Sequence, residues 1–400
     1  MSSDQAIGSG TRRVIELALA LGCFAIATSE FALVGLMSNL AQELGFTFQQ
    51  VGQLVSSYAV GVVVGAPAMV LLGAAWPRRK AMLVLLLLCI AGNGAFALCS
   101  GYWELMAARF VAGLPHGAFF GMASVVAASF AAPNERARAI SRVMAGVTLA
   151  ILIGTPFAAW FGEVAHWRAV YWSITALGVA ACVALALVLP AQSGRAGPSA
   201  RQEFRAFNIP AVWLALAVAA IGFIGTFAVF SFLAPVLQHV ARGPSAAMPL
   251  LLALFGLGAF LGNLVGGWGY DRLNKTAIVL SLSFNLVALL AFPFLAQTVP
   301  LLGLGMFLVG ATVALSPILQ AHLIEAAPAA ANLAASSNHA AFNIANALGP
   351  WLGGLAIGQG LGLVAPAYVG VAAAACALAL CVQGIGFGQA GNRFRSRKVS

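Results

Sequence analysis

Apolar residues run through this chain in stretches of about 20 or more, and short polar joints separate them. A bilayer core about 30 Å thick takes about 20 helical residues to cross, so each stretch predicts a membrane-spanning helix. The predicted spans are 14–37, 51–75, 81–99, 103–130, 139–162, 168–189, 209–239, 246–268, 276–296, 299–325, 333–357 and 365–388, twelve in all. Between the sixth and seventh lies "PAQSGRAGPSARQEFRAFN", a basic stretch with Pro, Gly and Ser that reads as a linker. The predicted organisation is a first bundle over 1–189, a linker over 190–208 and a second bundle over 209–400 with a basic tail. The halves echo one another, "FALVGLMSNL" at 31–40 with "FAVFSFLAPVL" at 227–237 and "RFVAG" at 109–113 with "MFLVG" at 306–310. Shared apolar composition is the competing account of these echoes.

Composition agrees with the pattern. The 400 residues are 62% hydrophobic and 8% charged, against about 25% charged in a soluble domain, and the mean hydropathy is +0.97. The chain is an integral membrane protein. Its formal charge of +10 does not point to nucleic acid, because the basic residues sit in small groups between apolar segments rather than on one solvated face. They report topology instead. With the N-terminus inside, Arg12, Arg13, Arg78, Arg79, Lys80, Arg136, Arg138, Arg142, Arg195, Arg201, Arg205, Arg272, Lys275, Arg393, Arg395, Arg397 and Lys398 are inside, 17 of the 20 Lys and Arg. Arg168 and Arg242 are outside and Arg109 lies within a span. The positive-inside rule then predicts both termini in the cytoplasm. The N-terminal run has no evident cleavage site, so the first span is expected to stay. The six cysteines fall in or beside apolar spans without CxxC or metal-ligand spacing, so no metal is expected.

Of the ten acidic residues, Glu30 alone is read as lying well inside a span. A charge in hydrocarbon costs about 2.5–3.5 kcal/mol on insertion scales, so such a group ordinarily faces a cavity or a partner. Counting at 1.5 Å per residue puts Glu30 and Arg109 both about 9–10 Å below the outer surface. They can share a layer, and a motion that separates them would change the proton affinity of the carboxylate. A structural Glu30 is the alternative. His116 follows Arg109 by seven residues on the same helical face, as a proton relay, a substrate contact, or a neutral histidine bonded to a neighbouring helix. "SSNHAAFNIAN" brings Asn338, His339, Asn343 and Asn346 within a few turns, either to bind substrate or to join helices. Phe119, Phe120, Trp160, Phe223, Phe227, Phe230 and Trp351 are candidate walls of a pocket, with lipid-facing or core positions as the alternative; Phe227 and Phe230 are taken as substrate contacts.

There is no HExxH, GxSxG or P-loop, and a lone GxGxxG at Gly386, Gly388 and Gly391 runs into the basic tail. No enzymatic activity and no cofactor are expected. Without a nucleotide motif, any solute movement across the bilayer would have to be driven by an ion gradient or by the solute's own gradient.

The motifs have a family pattern. "LMAARFVAGLPHGAFFGMASVVAA" at 105–128 and "IATSEFALVGL" at 26–36 resemble the fourth and first spans of the major facilitator superfamily, in its drug:proton antiporter branch with the sugar and chloramphenicol efflux proteins. "GGWGYDRLNK" at 266–275 is similar to the superfamily's cytoplasmic loop motif, with Gly267, Asp271, Arg272 and Lys275 in register. In the first half "LLGAAWPRRK" at 71–80 puts Trp76 where the aspartate would be. The antiporter motif of the fifth span is matched by Gly146, Gly154, Pro156 and Gly162, with Thr155 for a glycine, and Gly349, Pro350, Gly353 and Gly354 give a related pattern in the eleventh. Glycine permits close approach and proline loosens the helix ladder, so these sites bend or slide, or else simply pack.

The resemblance implies an all-α membrane protein of twelve transmembrane helices in two pseudo-symmetric six-helix bundles. It implies proton-coupled efflux of a small organic solute (drug, sugar or nucleoside-like) by alternating access, with Glu30, Arg109 and His116 in proton coupling. Asp271, Arg272, Lys275, Gly154, Pro156, Gly349 and Pro350 would serve the conformational switch. A facilitator or importer of a small polar solute is the alternative, and a membrane receptor or integral enzyme the alternative of another class. The expected partners are the solute, protons and the bilayer of the inner membrane, with the protein acting as a monomer.

Overall fold

The computed structural model describes residues 9–190 and 199–396. Arg195 of the linker and Arg397 and Lys398 of the tail lie outside the described residues. The described residues are helical with no strand. Among the described residues, eleven helices are long and apolar enough to cross a membrane. The twelfth, Ala331–Gly358, has 28 residues but carries Asn332, Ser336, Ser337, Asn338, His339, Asn343 and Asn346. It is the predicted eleventh span, and the most polar.

Local chemistry sets the span boundaries. The second span begins at Phe48 because Thr47 Oγ1 accepts from Gln50 N at 3.2 Å while Gln50 Oε1 accepts from Thr47 N at 2.9 Å, a reciprocal cap on two orphan donors. Glu104 Oε2 accepts from Gly101 N at 3.2 Å where the fourth span starts. Pro115 lies between the two helical pieces of that span, Tyr102–Gly113 and His116–Ser129. In the fifth span, Pro156 lacks an N–H, and the ladder just before it widens into a π-type turn at Ala150–Gly154. The seventh span, expected as one helix over 209–239, instead breaks into Pro210–Gly222, Ile224–Ser231 and shorter turns. The twelfth span, expected to end at 388, runs from Ala365 to Ser396, so Gly386, Gly388 and Gly391 lie within one continuous helix.

Within the first half, the first span packs on the fifth and sixth, and the second and third pack on the fourth. Within the second, the eighth packs on the tenth, the seventh on the eleventh, and the twelfth on the seventh and ninth. Two seams join the halves: the fifth span against the eighth, and the eleventh against the second and fourth. These contacts are close. A Cβ at Gly146 would collide with the Ala20 carbonyl of the first span, and one at Gly267 would strike Ser141 across the fifth–eighth seam.

Exposed apolar side chains such as Leu87, Val183, Leu187 and Phe294 cover the outside of the bundle, as a lipid-facing surface requires. Tryptophans mark both ends. Trp103, Trp160 and Trp351 project at one end and Trp76, Trp213 and Trp268 at the other, the arrangement of interfacial aromatic belts. Trp160 and Trp351 are 59% and 60% exposed, so they belong to the outer surface and do not wall a pocket. The end with Arg12, Arg78, Arg136, Arg205 and Asp271 is called the basic face below.

Candidate functional site

The first span carries Ser29 and Glu30 into the interior of the first half. Ser29 Oγ donates to Asn93 Oδ1 of the third span at 2.6 Å, and Asn93 Nδ2 donates to the Cys89 carbonyl at 2.8 Å. This fixes the turn on which Glu30 sits. Glu30 is buried, and its Oε2 lies 3.7 Å from His116 Nδ1. Tyr58 of the second span, whose hydroxyl is 3.0 Å from the same Nδ1, orients that imidazole.

Arg109 shares this layer but forms no ion pair with Glu30 among the described residues. It is fully buried, with Nη1 donating to the Ser29 carbonyl at 2.8 Å and Nε to the Leu54 carbonyl at 3.4 Å. The guanidinium lies 4.4 Å from the centre of the Tyr58 ring, a cation–π contact, and Nη2 has no hydrogen-bond partner among the described residues. Arg109 therefore ties the first, second and fourth spans together. The charge it brings stands beside Glu30 through Ser29 and not through a direct bond.

His116 faces the second half. Phe120, one turn on, has its ring centre 4.2 Å from His116 and 4.9 Å from His339 of the eleventh span, and the two imidazole centres are 5.9 Å apart. Ser336, His339 and Asn343 share one stripe of the eleventh helix at spacings of three and four, with Ser336 seated against Gly121. Ser336 Oγ, His339 Nε2 and Asn343 Oδ1 are buried without hydrogen-bond partners among the described residues. Asn346, half-buried, is one turn further. Phe227 of the seventh span packs edge-on against Phe342 at 4.8 Å, beside this stripe.

Two proposed substrate contacts are elsewhere. Asn338 donates to Gln320 Oε1 of the tenth span at 2.7 Å, so it joins two helices of one half. Phe230 packs with its ring tilted, centre to centre 4.7 Å, against Phe255 of the eighth span, beside a separate core cluster. Phe119, Phe120 and Phe223 are core residues. Sequence reasoning missed Tyr58; a lone tyrosine inside an apolar span, in a chain with five tyrosines, was the available signal.

At the basic face, Asp271 reaches across to the other half. Its Oδ1 accepts from Ala137 N at 2.8 Å, and its Oδ2 accepts from Arg138 N at 2.9 Å and from Arg138 Nε at 3.1 Å. The carboxylate thus caps the first turn of the fifth span, where negative charge is favoured. One turn deeper, Ser141 Oγ donates to the Asn263 carbonyl at 2.7 Å and Asn263 Nδ2 donates to the Ser141 carbonyl at 2.8 Å. The fifth–eighth seam is closed here. Arg272 instead lies 5.0 Å over the Trp268 ring, and neither it nor Lys275 joins an ion pair among the described residues. A Cβ at Gly154 would meet Thr28 Oγ1 at 2.9 Å and one at Gly349 the Ile224 carbonyl at 2.6 Å, so both mark close helix crossings, with Pro156 and Pro350 beside them.

Not every acid outside Glu30 is exposed. Glu16 is buried, held by Arg142 at 2.7 and 2.9 Å and by Arg12 at 3.0 Å. Glu203 of the linker is fully buried, accepting from Asn332 Nδ2 at 2.7 Å and from Leu333 N at 3.0 Å. Burial pushes its carboxyl above the ordinary range, opposed by the Leu333 N–H, Asn332 and the nearby Arg78 cation.

The sequence description of the Major Facilitator Superfamily matches residues 19–350. The chain belongs to that superfamily. Among relatives of this superfamily protein, the inner membrane transport protein YdhP of Escherichia coli K12 is 37% identical over 365 residues, 91% of this chain and 94% of that protein. A chloramphenicol resistance protein of Streptomyces lividans is 32% identical over 355 residues, 88% of this chain and 91% of that one. The fold is that of the crystal structure of the human organic anion transporter MFSD10 (TETRAN), with a TM-score of 0.71 at 15% identity, covering 92% of this chain and 99% of that one. This facilitator protein is a membrane transporter of small solutes and not an enzyme.

Proposed function

We propose that this facilitator protein exports a small organic solute in exchange for protons, as a monomer of the inner membrane with its basic face and both termini in the cytoplasm. The halves 1–189 and 209–400 act as the rocking bodies and 190–208 as the linker between them. The observation that carries the reading is the enclosed Glu30 carboxylate, 3.7 Å from His116 Nδ1, in the half that faces His339. A buried acid beside a titratable base, with the Arg109 guanidinium one residue away on the Ser29 carbonyl, is a place where a proton can be held or released as its surroundings change. The unpaired atoms of Ser336, His339 and Asn343, with Asn346 and Phe227 beside them, offer hydrogen bonds and an aromatic wall to the solute. Gly154 with Pro156 and Gly349 with Pro350 supply the bends, and Asp271 the closure of the cytoplasmic side. The relatives named as a chloramphenicol resistance protein and an inner membrane transport protein support efflux and place. The test is proton release from purified protein when sugars, nucleosides or antibiotics are added. Glu30→Gln should stay folded, bind solute and lose both proton release and pH-driven efflux in vesicles. Undiminished pH-driven efflux by that variant defeats the proposal.

A further inference from the structure

Asp271 works by capping a helix that has no cap of its own. At the start of the fifth span, Glu135 stands at the cap position but its side chain turns to Arg12 and Arg138 and caps no backbone N–H, and Asp271 comes from the end of the eighth span to accept from Ala137 N and Arg138 N. In the pseudo-symmetric fold the eleventh span is the counterpart of the fifth, and the second is the counterpart of the eighth. The start of the eleventh span has the same need. Ala330 stands at its cap position and has no side-chain acceptor to offer. The loop after the second span, which should supply the carboxylate, has Trp76 in the register of Asp271. That indole is 38% exposed and lies against Lys80 Nζ at 5.1 Å, so it gives the seam nothing to accept a hydrogen bond.

We propose that Glu203, supplied by the linker, stands in for the aspartate that the first half lacks, and latches the second–eleventh seam as Asp271 latches the fifth–eighth seam. Its two oxygens take the Leu333 N–H and the Asn332 amide, the first turn of the eleventh span, as Asp271 takes the first turn of the fifth. The short helix Ala200–Phe204 holds Glu203 there. Ser199 opens that helix with a reciprocal cap, Ser199 Oγ accepting from Gln202 N at 3.3 Å and Gln202 Oε1 from Ser199 N at 2.8 Å. The helix packs on both the second span and the start of the eleventh, so it straddles the seam. Each carboxylate also has a cation from the first half nearby, Arg138 for Asp271 and Arg78 for Glu203. A linker read as a loop thereby carries a fully buried carboxylate, which a spacer has no reason to hold.

The test reads opening of the basic face. Ala128 is 5% exposed and lines the cleft of about 320 Å³ between the halves at that face, with Asn332 opposite. Ala128→Cys in the purified full-length chain is labelled with a hydrophilic maleimide, and the signal of the native cysteines is subtracted with the parent chain. Adding Glu203→Ala should raise the labelling rate about tenfold, equivalent to about 1.4 kcal/mol. Glu203→Gln should remain near the parental rate, because its amide accepts from Leu333 N and donates to Asn332 Oδ1, which now has no partner. Trp76→Asp in the Glu203→Ala background should bring the rate back. Ala158→Cys, buried in the core of the first half, reports general unfolding. Unchanged labelling in Glu203→Ala overturns the latch, as does a parallel rise at Ala158→Cys. Failure of Trp76→Asp to restore the rate overturns the equivalence of the two positions.

Discussion

Replacing Asp271 by asparagine removes one acceptor oxygen and the charge while keeping the shape. In the parent, two oxygens serve three donors, Ala137 N, Arg138 N and Arg138 Nε, with the carboxylate itself only 5% exposed. The amide keeps one acceptor and turns an NH2 toward the other donors, so one backbone N–H of the fifth span loses its partner. A hydrogen bond to a charged group is worth about 1.5–3 kcal/mol. The Arg138 side chain is 38% exposed, so its pairing adds less than about 1 kcal/mol after solvent screening. The sum is about 1.5–4 kcal/mol against the closed basic face, a shift of about 10- to 900-fold in the ratio of closed to open. Nitroxides at Asn134→Cys and Ala329→Cys, one on each half at that face, read the change as a distance distribution by pulsed electron spin resonance. Asp271→Asn should move population to the longer distance, and Asp271→Glu should move less because it keeps both oxygens. A distribution identical to the parent would refute the view that this carboxylate holds the seam.

Two further outcomes follow from single residues. Arg109→Ala strands the Ser29 and Leu54 carbonyls and removes the cation over Tyr58, so melting in detergent should show a loss of about 2–5 kcal/mol, with Arg109→Lys recovering part through one of the two carbonyls; unchanged melting would contradict the tie. Glu203 gives a pH dependence with a definite sign. Its folded carboxyl is raised, so the folded state holds the proton over a range where the unfolded chain has lost it. The stability of the parent relative to Glu203→Gln should be highest below the ordinary glutamate range and should fall as pH rises through the raised folded value; a flat or rising difference in melting temperature refutes it.

How far the site was legible depends on what each residue needs to touch. Glu30 and Arg109 could be placed in one layer from the 1.5 Å rise of a helix, with His116 about two turns deeper, and it is His116 that the structure brings to Glu30. Equal depth along the two helices makes Arg109 the expected partner of Glu30. The expectation left out the backbone: carbonyls of Ser29 and Leu54, freed for a donor by the way three helices cross, are equally good acceptors and carry no sequence signature. Asn338 and Asn343 look alike on the chain, yet one bonds Gln320 of the tenth span while the other donates to the His339 carbonyl of its own helix and leaves its Oδ1 without a partner among the described residues, a difference of helix face and not of chemistry. Glu203 looked like a solvated loop acid for the same reason.

Apart from the breaks of the seventh span and the length of the twelfth, what the chain determined by itself is the number of its crossings, most of their ends, and the side on which basic residues gather. These follow from local physics: about 20 apolar residues span a bilayer, a Thr-x-x-Gln pair caps a helix, and proline removes a backbone donor. Tertiary structure alone decided which helices meet at the seams, and with that the partners of Asp271, Asn263, Glu203 and Arg109. Each of those partners lies on another span or on the far side of the linker. A polar group buried in a bundle bonds to whatever helix crossing brings within 3 Å, and crossings are set by the packing of glycine-lined surfaces over the whole bundle rather than by neighbours along the chain.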